Sequence, residues 1–406
     1  MSARGDEAAT LPERPRILVV KLADMGDALL ATPALRLLRA ARPEAHICVL
    51  TSPGGAGAFE HCGLVDEVLV FEKGHWDRAW LAWRRPLAPL RLAARLRAQR
   101  FDAVVLLHGL VTRFGALKHA ALVLSTGAPR RVGLHRKGLA SWRSRFLNAG
   151  PRDPGYDGAH VATQMRTVAA ALVGAGAEAD GSLAFEPGHA ARARARDLLD
   201  ESEPSDGPLV AIHPGSGAFS PARRWSPEGF ARVADALAED GARIVLLGLP
   251  EDGVAQVRAA MAAPSLDLSG RTPLRVLAAV LERCALLVAN DGGVGHLAAA
   301  MDTAVVSVFG PSNDAAWRPW WPPDRSVPSP HRVVALDLPC RPCFYVGHRL
   351  GSPQGCPTRD CLRWLSAAQV LDAAREVLDP KLPPATSMGA DPSGPSPEHG
   401  PGDAAS

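Results

Sequence analysis

Apolar and polar positions alternate along this chain as short apolar runs separated by stretches of helical period. "RILVV" (16–20), "AHICVL" (45–50), "VDEVLVF" (65–71), "FDAVVLLH" (101–108) and "RRVGL" (130–134) predict strands, being short and rich in β-branched residues and leucine. Helical patterns fill several of the gaps, around 27–41, 87–99, 112–124 and 158–173. After the polar stretch "ESEPSDGP" (201–208) the alternation restarts with "LVAIH" (209–213), "RIVLLG" (243–248), "LDLSG" (266–270), "ALLVAN" (285–290) and "AVVSVFG" (304–310). Ser226 followed by Pro227, and Thr272 followed by Pro273, each read as a capping hydroxyl with proline at the first helical position. Strand, helix, strand in repetition means a parallel sheet covered on both faces. The expected fold is therefore α/β, with two Rossmann-like halves facing each other across a cleft.

In such sheets ligands bind beyond the carboxyl ends of the strands, so the loops after each strand carry the candidate chemistry. "IHPGSG" (212–217) brings His213, Gly215 and Ser216, and "NDGGVGH" (290–296) brings Asn290, Asp291, Gly292, Gly293, Gly295 and His296 into the start of a helix. Glycines let the backbone approach a ligand and helix N-terminal amides favour an anion, so a diphosphate is the natural guest. Arg223 and Arg224 in "ARRW" could neutralise it. Asp291 beside those amides must either cap the helix or face a sugar hydroxyl. His296, one turn further in, reads equally well as a ligand contact or as a buried histidine. "PGGAG" (53–57) is taken as a turn.

Composition adds little: 406 residues, 47% hydrophobic, 21% charged and a net charge of +3 suit a soluble protein of two domains. The distribution of charge says more, because between Arg84 and Arg145 the only acid is Asp102 against 14 Arg and Lys. Such a face is either solvated surface or the seat of an anionic partner. No apolar run is long enough for a membrane span, and the first 14 residues lack a signal peptide's apolar stretch. A cytoplasmic protein is expected, in peripheral contact with the inner face of the membrane and with no nucleic-acid partner.

"RILVVKLADMGDALLATPALRLLRAARPEAHICVLTSP", "IHPGSG" with "ARRWSPEGFARVADAL", "LSGRTPLRVLAAVLERCALLVANDGGVGHLAAAM" and "VSVFGPS" together resemble the ADP-heptose:lipopolysaccharide heptosyltransferase family, from about Arg16 to Leu378. The resemblance implies the GT-B arrangement of two Rossmann-like domains, with the nucleotide-sugar in the C-terminal one and the acceptor on the N-terminal one. It further implies metal-independent, inverting transfer of a sugar, heptose above all, from an ADP-sugar to a lipopolysaccharide-core or related surface-glycan acceptor. Asp27 falls on the family's Gly-Asp turn and takes the role of general base. A carboxylate at a helix start on a cleft edge suits that role by itself, although a helix cap would also explain it.

Lys21, Asp24 and Gly26 accompany Asp27 as candidate acceptor contacts, and Pro33 should kink the helix behind them. Two positions depart from the family: Arg223 stands where Lys is common, and Gly292 stands where a Ser or Thr hydroxyl is common. The expected domains are 15–180 for the acceptor and 181–365 for the donor, between a disordered start (1–14) and a disordered tail (381–406). By resemblance, a helix at 366–380 is expected to cross back and brace the first domain. Cys340, Cys343, Cys356 and Cys361 have spacing that tetrahedral zinc tolerates, with disulfides or free thiols as the alternatives, and no cofactor is needed for catalysis. "WRPWWPP" (317–323) offers aromatic faces or simple packing. Rival readings are a silent nucleotide-sugar-binding homologue, a transferase using another nucleotide-sugar, or a nicotinamide oxidoreductase. The last wants a GxGxxG after the first strand, where "KLADMGDA" has one glycine.

Overall fold

The computed structural model describes residues 11–72, 88–174, 176–201, 207–217 and 219–379. The first half runs β1 (Arg16–Lys21), α1 (Met25–Leu29), α2 (Thr32–Ala41), β2 (His46–Thr51), α3 (Pro53–Glu60), β3 (Glu67–Val70), α4 (Ala88–Ala98), β4 (Ala103–Leu106), α5 (Arg113–Ser125), β5 (Arg130–Val132) and α6 (Val161–Val173). The second runs α7 (His189–Leu199), β6 (Leu209–His213), α8 (Pro227–Glu239), β7 (Arg243–Leu246), α9 (Val254–Ala260), β8 (Leu266–Asp267), α10 (Leu274–Leu281), β9 (Leu286–Asn290), α11 (Gly293–Ala300), β10 (Ala304–Val308), α12 (Asp314–Trp317), β11 (Arg332–Val334), α13 (Asp360–Arg363) and α14 (Ala367–Leu378).

Two wholly parallel sheets result, in the orders β3-β2-β1-β4-β5 and β11-β10-β9-β6-β7-β8. Each reverses direction once, between β1 and β4 and between β6 and β9, and a reversal of this kind opens a crevice at the strands' carboxyl ends. The expected α/β class and two-sheet plan are thus present. The central strands are unbroken apolar runs because both faces are covered: Ile17, Leu18, Val19 and Val20 of β1 and all of β9 are buried. One core cluster runs from the α2 and α6 layer of the first sheet into α7, α10 and α11 of the second, so the halves share a hydrophobic core. The outer faces are closed separately, by α4 and α5 on the first sheet and by α8, α9 and α14 on the second.

Pro33 acts as expected, but as a break: α1 ends at Leu29 and Pro33 sits in the first turn of α2, where its missing N–H has no partner to lose. Ser226 caps α8 by accepting from the Gly229 amide, whereas α10 starts one residue later than expected, with Pro273 at the cap and no bond from Thr272. "PGGAG" is the start of helix α3, not a turn; Pro53 opens it and Ala58 and Phe59 are buried in the core. Ser366 and Gln369 form a capping box on α14. Among the described residues that helix packs within the second half, on α8, β9, β10 and β11, burying Val370 and Ala374 in the second sheet's outer core.

The inter-sheet connection is instead made by 181–185, where the Ala184 amide donates to Thr32 Oγ1 at 2.9 Å and Gly181 O accepts from Trp320. Of the start expected to be disordered, residues 11–14 are placed, with Leu11 against the core; 1–10 and the tail 381–406 lie outside the described residues. Cys48, Cys62 and Cys284 are buried. The zinc expectation finds no ligand set: among the described residues no three His, Cys, Asp or Glu are arranged to hold a metal. Cys361 is buried in the second sheet's core, while Cys340, Cys343 and Cys356 are exposed. No described helix is long and apolar enough to cross a membrane.

Candidate functional site

Both sheet reversals open onto one cavity of about 1150 Å³ between the halves. From the first half, the end of β1 and the start of α1 supply Lys21, Asp24, Gly26 and Asp27; from the second come His213, Ser216, Arg223, Arg224, Asp291, Gly292, Gly293 and His296. Gly215, Asn290 and Gly295 do not line it. Asn290 is a tie within the second sheet, accepting from the Trp225 amide at 2.9 Å and donating to Pro214 O at 2.6 Å. Gly215 lies against Asp252, whose carboxylate would be 2.4 Å from a Cβ there. Gly295 is buried as the third residue of α11.

Asp27 is the third residue of α1, so a helix cap does not explain it; the cap position is held by Asp24, whose side chain makes no capping bond. The Asp27 carboxylate is 40% exposed into the cavity and lies 3.9 Å from Lys21 Nζ. Lys21 is buried; burial pushes its ammonium below the usual lysine range, and the Asp27 charge opposes that. The backbone beside Asp27 meets the second half directly. A Cβ on Gly26 would be 2.6 Å from Gly293 Cα and 3.2 Å from His296 Cδ2, so only glycine permits this contact between α1 and the N-terminus of α11.

Around that helix start lies a network of paired charges. Arg223 donates to Asp291 Oδ2 at 3.1 Å and to Ser216 O at 2.7 Å, and Arg224 donates to Asp252 Oδ1 at 3.2 Å and Glu251 O at 2.7 Å. The Nε–H groups of both arginines are buried with no acceptor among the described residues, as is Nδ1 of His296. Asp291 is not a cap, since Gly292 holds that position and Asp291 instead pairs with Arg223. Gly292 is extended, with φ −178°, and a Cβ would meet nothing nearer than Ser216 Cα at 3.5 Å. A larger residue fits there without strain. Burial lowers the imidazole of His296, partly offset by Asp291 and Asp27, so it is neutral at pH 7.

Several residues of the site carried no signal in the reading of the loops. Asp252 sits 3.7 Å from His213 Nε2; burial raises its carboxyl, but the bonds from His213 and the Leu249 amide and the Arg224 charge bring it below the usual range. Tyr156 and Tyr345 pack edge to face at 5.1 Å, with Trp317 5.0 Å from Tyr345, as an aromatic wall of the cavity. Burial first and the Asp27 charge second push the phenol of Tyr156 up to about 12 and that of Tyr345 higher still. The chain has only these two tyrosines, and their rarity was the available clue. Within "WRPWWPP" the roles divide: Trp317 faces the cavity, while Trp320 bonds Gly181 O and Trp321 bonds Val327 O.

A second set of bonds also stitches the two halves together. The Tyr156 amide donates to Gly347 O at 2.7 Å, and Asn313 Nδ2 donates to Asp157 Oδ1 at 2.9 Å. The first-half wall also carries Lys118 of α5 and Arg136; Arg136 pairs with Asp153 at 3.1 Å.

Known proteins share this arrangement. The profile of glycosyltransferase family 9 (heptosyltransferase) matches residues 89–350. Lipopolysaccharide heptosyltransferase 2 of Salmonella typhimurium is 26% identical over 347 residues, covering 80% of this chain and 88% of that protein. A solved glycosyl transferase family 9 protein from Veillonella parvula superimposes with a TM-score of 0.67 at 22% identity, over 90% of this chain and 97% of that one. E. coli ADP-heptose lps heptosyltransferase II superimposes with a TM-score of 0.64 at 22% identity, over 89% and 98%. The GT-B architecture expected from the sequence is therefore the architecture of the chain, and with its profile spanning well over half of the residues the protein is a glycosyltransferase that belongs to family 9, the heptosyltransferases.

Proposed function

We propose that this chain moves heptose from an ADP-sugar to a lipopolysaccharide-core or related surface-glycan acceptor, with inversion at the anomeric carbon and Asp27 as general base. The acceptor hydroxyl gives its proton to the Asp27 carboxylate as its oxygen bonds the anomeric carbon. The bond from that carbon to the diphosphate breaks on the opposite face, and the nucleoside diphosphate leaves with the electron pair. The N-terminal amides of α11 and the guanidinium groups of Arg223 and Arg224 receive the departing charge, so the scheme calls for no metal. His296, neutral and with no partner for Nδ1 among the described residues, is suited to a hydroxyl of the donor sugar. Lys118 and Arg136 face an anionic acceptor from the other wall.

The observation that carries the reading is the contact between Gly26 and Gly293. It fixes the residue before Asp27 against the first residue of the helix that would hold the leaving group, so base and leaving group are registered across one backbone contact. The donor's adenine and heptose come from the E. coli relative whose name carries ADP-heptose.

The test is calorimetric binding of ADP-heptose, ADP and a UDP-sugar, with transfer to a lipid-linked core acceptor, for the wild type and Asp27→Asn. The variant should bind ADP as the wild type does and lose roughly 10²–10⁴-fold in transfer rate, the usual contribution of a general base. Undiminished transfer would remove Asp27 from the chemistry. Binding of the UDP-sugar with no binding of ADP would overturn the donor assignment.

A further inference from the structure

Helix α5 turns one side to the cavity and the core: Gly115, Lys118 and His119 line the cavity, and Ala116, Leu122 and Val123 are buried beneath the first sheet. The opposite side should be polar in a helix facing water. Instead it presents Phe114, Leu117 and Leu124, 56%, 60% and 52% exposed, with exposed Ala121 between them. Their spacing places them in one stripe along the helix.

The 3-10 turn Gly138–Ser144 packs beside α5 and extends the stripe. Leu139 is fully exposed and Trp142 is partly so, and Arg143 pins the turn by donating to the carbonyls of Leu110 and Val111 just ahead of α5. Cations rim this apolar surface. Arg113, Lys137 and Arg145 are exposed, Lys118 Nζ lies 5.6 Å over the Phe114 ring, and Arg143 lies 5.9 Å over the Trp142 ring. From Ala103 to Arg152 the sequence contains no Asp or Glu.

Large exposed apolar side chains ringed by basic ones, with no acid among them, match the boundary between headgroups and acyl chains of an anionic bilayer. A second copy of the chain fits less well, since a two-fold contact would set Arg113, Lys137 and Arg145 against their own kind. We propose that α5 and the turn 138–144 dock this protein on an anionic lipid bilayer, with Phe114, Leu117, Leu139 and Trp142 entering the headgroup boundary. The other side of the same helix forms part of the cavity wall, so docking holds that wall about one helix diameter from the lipid surface. That a lipid-linked acceptor is presented there rests on the function proposed above; the docking does not.

The full chain is sedimented with vesicles of phosphatidylglycerol and phosphatidylethanolamine and, separately, of phosphatidylcholine alone. The wild type should partition onto the first and not the second, and added salt should weaken it. The double variant Phe114→Ser/Leu117→Ser and the single Leu139→Ser should each lose at least about ten-fold in partitioning, and Lys137→Glu/Arg145→Glu should lose a similar amount. Because these side chains are exposed, melting temperatures should stay at the wild-type value, and transfer to a water-soluble, delipidated acceptor should be unchanged.

Absence of wild-type partitioning, or partitioning equal in wild type and variants, overturns the proposal. So does a wild-type dimer that the apolar variants convert to monomer while vesicle binding persists. Partitioning without transfer to any acceptor would instead overturn the function and leave the docking standing.

Discussion

The contact between α1 and α11 makes a quantitative prediction for Gly26→Ala. The added Cβ would lie 2.6 Å from Gly293 Cα, where carbon atoms rest at about 3.5–4.0 Å, so the two helices must separate by about 1 Å. The neighbour is backbone, and the next atom, His296 Cδ2 at 3.2 Å, belongs to a buried ring, so no flexible side chain can absorb the intrusion. Moving Asp27 by about 1 Å from the start of α11 should lower the transfer rate about 10²-fold. Donor binding to the second half should change much less, and overpacking should lower stability by about 1–3 kcal/mol.

Gly293→Ala is the internal control. Its Cβ would first meet Met25 Cε, the free end of a flexible side chain, at 3.0 Å, and then Gly26 N at 3.2 Å, which asks the backbone for a shift of only a few tenths of an ångström, so its rate should fall less than ten-fold. Steady-state transfer, ADP calorimetry and a thermal melt on both variants check this. A folded Gly26→Ala protein with kcat near the wild-type value, or a Gly293→Ala protein that suffers more, would refute the argument that this contact registers the base.

Gly292→Ser places a hydroxyl at the cap of α11 in backbone that already accepts any residue. If the hydroxyl reaches the diphosphate, ADP should bind about 2–10-fold tighter, one hydrogen bond's net worth; weaker binding in calorimetry would show that the bare amide is what the ligand uses. Burial holds the imidazoles of His160 and His331 down to about 3 and about 4, against 6.5 in the unfolded chain. Both are neutral when folded, so below pH 6.5 the unfolded state takes up protons the native state refuses, and stability falls with pH. The loss between pH 7.5 and 5 is about 2 kcal/mol for each of the two. Urea midpoints at the two pH values should therefore differ less in His331→Gln than in the wild type, and an unchanged difference would refute that origin.

The strands were legible because a doubly covered parallel sheet writes itself as unbroken apolar runs, and β1 and β9 needed nothing else. β11 was not, since Arg332–Val334 is three residues long and paired only to β10. α3 was misread because its local signal is Pro and Gly, while burial of Ala58 and Phe59 is what holds it helical. The loops pointed to the cavity between the halves, but a glycine-rich string does not say which residues face outward. Asn290 and Gly295 share a segment with Asp291 and His296, yet one bonds the neighbouring strand's loop and the other is buried within its helix. Asp252, Tyr156 and Tyr345 reach the site from separate parts of the chain, and no spacing rule connects Tyr156 with Tyr345 across 189 positions of sequence (345 − 156).

The pairing of Arg223 with Asp291 bears on what the resting enzyme ignores. A guanidinium left bare in a cleft would collect any small anion, inorganic phosphate and sulfate included. Here its charge is already balanced by a carboxylate with 4% of its side chain exposed, so a newcomer must offer enough contacts to make the rearrangement worthwhile. One phosphoryl group offers few. Two joined phosphoryl groups carrying a nucleoside and a sugar offer many, spread over both arginines, the helix amides and the far wall. On the proposed function, selectivity for a nucleotide-sugar over abundant simple anions would thus be set by the Arg223–Asp291 pair itself.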